Sequence, residues 1–197
     1  MAASKGYTLA ELLAVLAIVA MAVAVALPAA AMLRDGGRAA AGARAMATIL
    51  SAQRWKSVAG HRVRGLQFRK VGNAWSWREV ADGNGNGLRS AEIARGVDRV
   101  LSDDVFLENE VPDVRLGFPP GGPYPEAPPG IDTVSAADDP VRFGRSTLVS
   151  FSPVGSASSG TLYLTDGRGE LYAVVLFGPT ARLRVWRYRS VERRWTL

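Results

Sequence analysis

The sequence predicts an α+β chain, in which a long apolar N-terminal helix is followed by a small antiparallel β-sheet domain. Three observations predict it. Positions 12–33 (LLAVLAIVAMAVAVALPAAAML) carry no charged side chain. From Gly60 onward the pattern changes to short alternating apolar runs separated by Gly, Pro and Asp. The 197 residues contain no cysteine and a single histidine, His61, so the second part must be held by its own core.

The first element follows from length. At about 1.5 Å per residue, 22 helical residues rise roughly 33 Å, comparable to the ~30 Å hydrocarbon layer of a bilayer. The expectation is therefore a transmembrane helix over 7–33. Lys5 on its N-terminal side directs that end to the cytoplasm. Glu11 is conspicuous within the run, since a carboxylate at the centre of a membrane helix costs about 2.5–3.5 kcal/mol on insertion scales. Past Arg34-Asp35-Gly36-Gly37, a weak point, helical character resumes over 34–59. Ala41, Ala45, Ile49, Ala52 and Trp55 fall on one face of it, predicted to pack on the following domain.

The domain over 60–197 is predicted to hold strands near 63–68, 74–80, 147–151, 161–165, 171–177 and 183–188, with Asp166-Gly167 marking a hairpin. The segment 117–130 (GFPPGGPYPEAPPG) is too rich in Pro and Gly for regular structure and is expected to be a long exposed loop.

The net charge of +6 is unevenly spread. Positions 34–70 hold nine Arg or Lys and one acid, 79–139 hold thirteen acids and four arginines, and 181–197 hold six arginines and one acid. Such a pattern suits contact between like subunits or an anionic partner.

The segment Lys5-Gly6-Tyr7-Thr8-Leu9-Ala10-Glu11, leading into the apolar run, resembles the class III signal of type IV pilins and pseudopilins. The resemblance implies a leader over 1–6, cleavage between Gly6 and Tyr7 by a prepilin peptidase, and N-methylation at Tyr7. It also implies that Glu11 and Pro28 serve filament assembly. Further on, Phe151-Ser152-Pro153-Val154-Gly155, Gly160-Thr161-Leu162 and Arg182-Leu183-Arg184 resemble the GspH/FimT group of minor pilins and pseudopilins. The implied fold is the pilin fold. The implied function is that of a minor pseudopilin, a structural subunit of a type II secretion pseudopilus. Its partners would be other pilin or pseudopilin subunits, the peptidase and an inner-membrane assembly platform. The implied location is the inner membrane, single-pass with a periplasmic domain, and then the filament. The alternative is a FimT-like minor type IV pilin that binds DNA for uptake through Arg182, Arg184, Arg187 and Arg189. The chain departs from that pattern at Ala181, where the group has glycine, and at Trp186, where it has a third arginine.

One further motif could carry chemistry. Asp82-Gly83-Asn84-Gly85-Asn86-Gly87 begins like a calcium loop, with oxygen-bearing side chains at positions 1, 3 and 5 and glycine at 6. Position 12 is Ile93, and the nearest acid is Glu92. Calcium is the one cofactor the sequence raises, and an Asx/Gly turn is the competing reading. No nucleophile–base pairing emerges, and the chain is not expected to be an enzyme.

Overall fold

The computed structural model describes residues 8–135 and 137–197, and the side chains of 25 and 27–36 lie outside that description. In chain order the elements are α1 (Leu9–Ala59), β1 (Arg64–Val71), β2 (Ala74–Ala81), α2 (Ser90–Ala94), β3 (Arg99–Val100), β4 (Val105–Phe106), α3 (Leu107–Glu110), β5 (Arg115–Leu116), β6 (Tyr124–Pro125), β7 (Thr133–Val134), β8 (Val141–Arg142), β9 (Leu148–Phe151), β10 (Gly160–Thr165), β11 (Leu171–Phe177), a 3-10 turn (Gly178–Thr180), β12 (Arg182–Arg189) and β13 (Arg194–Thr196). The chain divides into two compact units, one ending at Gly37 and the other Arg38–Leu197.

The transmembrane expectation is corrected, and with it the single-pass inner-membrane placement. Among the described residues no helix is long and apolar enough to cross a membrane. Near its start α1 also carries Glu11, a carboxylate that counts against burial in hydrocarbon. The fold class is corrected accordingly: three antiparallel β-sheets with a few helices, of which α1 is the longest. The expected weak point at 34–37 is helical throughout.

Within the second unit, the C-terminal part of α1 buries Ala39, Ala43, Met46, Leu50, Gln53 and Ser57. Their spacing of three and four residues draws one stripe along the helix. This is not the predicted face: Trp55 is 67% exposed. Small side chains decide the difference. Gly42 is buried, and a Cβ placed on it would meet Val114 Cγ1 at 2.6 Å, so the backbone itself is the contact surface. At the end of the stripe the Ser57 hydroxyl reaches the carbonyl oxygens of Phe151 (2.7 Å) and Arg62 (2.8 Å).

Two larger sheets cover this stripe. One is ordered β3-β2-β1-β9, with β4 also on β2; the other is ordered β13-β12-β11-β10-β5, with β8 also on β10. All pairings are antiparallel. In the second sheet successive side chains alternate between two buried environments. Leu162, Leu164, Val174 and Leu176 join the core that includes Met46 and Leu50 of α1. Tyr163, Ala173, Val175 and Tyr188 point the other way into a second core.

The second core overturns the expectation of an exposed loop at 117–130. Phe118, Tyr124, Ala127 and Val134 are buried against the far face of that sheet. Strands β6 and β7 form a two-stranded ribbon. Specific bonds hold it down: the Ala127 N–H donates to the Tyr163 hydroxyl at 3.1 Å, the Trp195 indole N–H to the Pro125 carbonyl at 2.8 Å, and the Tyr124 hydroxyl to the Pro120 carbonyl at 3.0 Å. Edge contacts add to this, with Tyr124 T-shaped to Tyr188 at 5.4 Å between centroids. Burial pushes the Tyr163 phenol up to about 12. Pro and Gly exclude long strands, but they do not prevent aromatic residues between them from packing.

Candidate functional site

Three places hold the residues the sequence singles out. The first is the start of α1. Gly6 and Tyr7 lie outside the described residues, as does the side chain of Pro28, whose backbone is helical. Glu11 is described and has a local role. Its N–H donates to the Thr8 hydroxyl at 3.3 Å, and its carboxylate accepts from the Thr8 N–H and hydroxyl, both at 3.0 Å. This reciprocal capping box satisfies two of the N–H groups that a helix start leaves unpaired. The Thr8 N–H, and then its hydroxyl, hold the Glu11 carboxyl below the usual carboxylate range. The signal is present in the sequence as Thr-x-x-Glu, within the same segment that resembles a prepilin signal. Beyond the cap, Leu9 is 75% exposed, Ile18 69% and Met21 72%, and Leu12, Leu13, Val15, Leu16, Val19 and Val23 are exposed as well. These positions go all round the helix rather than along one face.

The second place is the loop after β2. Asp82, Glu92 and Asp98 are buried. Asp82 accepts from the N–H groups of Asn84 (3.0 Å), Gly85 (2.8 Å) and Gly87 (2.9 Å). Glu92 accepts from the side-chain amides of Asn84 and Asn86, each at 3.0 Å. Asp98, unremarked in the sequence, accepts from the N–H groups of Gly83 (3.0 Å) and Arg89 (2.9 Å). Gly83 is required there, because a Cβ would lie 1.8 Å from the Val97 carbonyl oxygen. Burial works against charge on Asp82, but the bonds from Gly87, Gly85 and Asn84, aided by Arg62, hold its carboxyl below the usual range. The Asn86 amide is the largest influence on Glu92, whose carboxyl is also lowered.

Thus Asp82, Asn84, Asn86 and Glu92 do come together, as the calcium reading requires. Yet both Asp82 oxygens and both Glu92 oxygens are engaged by N–H donors. Among the described residues no group of three or more His, Cys, Asp or Glu is placed to hold a metal ion. A cation would have to turn both asparagine amides over and displace their bonds to Glu92. As it stands, the arrangement closes a loop on itself.

The third place is the terminal strand β12. Alternation splits the four arginines. Arg182 and Arg184 share a face with Trp186, opposite Phe177, Val175 and Ala173 of β11. Arg187 lies on the other face, bonded to Glu170 at 2.7 Å and seated over the Tyr172 ring at 6.0 Å. Glu170 holds the Arg187 guanidinium above its ordinary pKa. Arg189 shares that second face and pairs with Arg194 across to β13. The four therefore do not form one comb. Arg182, Arg184 and Trp186 instead border a groove of about 780 Å³. Its other walls are the segment around Pro128 and Pro129, Arg142 of β8, and Val175 and Phe177 of β11. The groove is the part of the sheet's far face that the ribbon leaves uncovered. No protein-family model, no curated protein and no solved structure matches this chain.

Proposed function

We propose that the chain is a structural subunit of a filament of the type IV pilin-like class, in the role of a minor pseudopilin. The observation that carries this reading is the exposed apolar surface over 9–24. A surface of that size, apolar on every side of a helix, needs several neighbours to cover it, and a bundle of like helices supplies them. The resemblance of Lys5 to Glu11 to a prepilin signal supports the same reading, and the Thr8–Glu11 cap fixes where the helix begins. The β domain over Arg38–Leu197 has its own core.

Mass spectrometry of the assembled protein tests the proposal. The mature chain is expected to begin at Tyr7 with one added methyl group, and replacement of Gly6 by Trp is expected to block both processing and incorporation. Assembled protein that begins upstream of Tyr7, or incorporation unaffected by the Gly6 change, would sink it.

A further inference from the structure

Arg182 and Arg184 have no acidic partner among the described residues, whereas the nearby Arg142 faces Glu126 at 3.4 Å and Arg187 is bound to Glu170. Two uncompensated guanidinium groups therefore stand beside a concave surface made of Pro128, Pro129, Val175, Phe177 and Trp186. Phe177 is 53% exposed, a large apolar side chain at the edge of a groove. The volume, about 780 Å³, lies in the ordinary range for sites that enclose a small ligand or a short chain segment.

From this we infer that the groove binds a short extended peptide segment bearing two carboxylates two residues apart, with an apolar side chain a further two residues along on the same face. The spacing argument is direct. Residues two apart on a strand sit about 6.7 Å from each other on one face, so carboxylates at i and i+2 of an extended peptide match Arg182 and Arg184. Arginine recognises carboxylates with paired donors. The apolar side chain would rest against Trp186 and Phe177. Nucleic acid fits less well. Affinity for a phosphate backbone grows with the number of phosphates neutralised, and this groove has two free arginines and a carboxylate, Glu126, in its wall. Nothing in this inference depends on filament assembly.

Fluorescence anisotropy with the full-length chain tests it. The probe is a dye-labelled Ser-Glu-Ser-Glu-Ser-Phe peptide, compared with its Gln-for-Glu analogue and with a labelled fifteen-residue thymidine oligonucleotide. The acidic peptide is expected to bind about tenfold or more tightly than the analogue. The pair Arg182→Gln with Arg184→Gln should remove that preference, and Arg189→Ala, on the opposite face, should leave it intact. Equal binding of the two peptides overturns the inference, and this comparison needs no variant to fold. So does an unchanged preference in the double variant, or an oligonucleotide that binds more tightly than the acidic peptide and depends on the same two arginines.

Discussion

Replacing Asp82 by alanine removes one carboxylate and leaves three backbone N–H groups, at Asn84, Gly85 and Gly87, without their acceptor. A hydrogen bond to a charged acceptor contributes about 1.5–3 kcal/mol. The three are not additive, because the loop backbone at 83–86 is exposed and water replaces part of what is lost. The expected cost is about 3 kcal/mol. With a urea slope of about 2 kcal/mol per molar, the midpoint of unfolding falls by about 1.5 M at pH 7. Asp82→Asn keeps one acceptor oxygen and should lose about half as much. The pH dependence has a definite sign. The folded carboxyl lies below its ordinary value near 3.9, so its contribution is fully present above that pH and disappears as the pH falls through the lower folded value. The gap between wild type and Asp82→Asn should therefore narrow on acidification. An alanine variant within about 0.5 kcal/mol of wild type at pH 7 would refute the view that this loop is built around Asp82.

Gly42→Ala should destabilise the β domain by about 1–3 kcal/mol despite alanine's higher helix propensity, because the new Cβ collides with Val114; Val114→Ala should restore most of the loss in urea titrations of the double variant. Tyr163→Phe leaves the Ala127 N–H without its partner and should cost about 1–3 kcal/mol. Because the folded Tyr163 phenol is pushed up to about 12, its contribution is complete below the ordinary value near 10 and is lost as the pH rises through 12. Thermal unfolding of wild type should thus weaken across pH 10–12 more steeply than that of Tyr163→Phe, and parallel curves would contradict this.

The six longer strands were legible because each is a run with an apolar face bounded by Gly, Pro or Asp, and the structure places all of them within a residue or two at either end, save that β1 runs on to Val71. The two-residue strands were not, since Val105–Phe106 or Thr133–Val134 have no period to read and exist only because a neighbouring edge pairs with them. The buried face of α1 was misplaced because alanine is common on every side of it; the choice is made by Val114, more than fifty residues away, pressing on Gly42. The Pro/Gly segment concealed a core for a related reason, since Tyr124 and Phe118 are informative only once Tyr163 and Tyr188 are known to face them. Convergence of Asp82, Asn84, Asn86 and Glu92 could be read from spacing, but the third buried acid, Asp98, comes from beyond the following helix and had no local signal. Alternation along β12 was enough to group Arg182 with Arg184 and Trp186, and to leave Arg187 and Arg189 on the other face.

The absence of cysteine makes the central claim directly testable. A single cysteine introduced at Ile18, on the exposed apolar part of α1, can form a disulfide only with another chain. If the segment 9–24 is covered by copies of itself, mild oxidation of assembled Ile18→Cys protein should give covalent dimers in high yield, as should Val15→Cys on another side of the helix. Assembled protein that stays monomeric at both positions would show that like helices do not cover this surface and would contradict the filament reading.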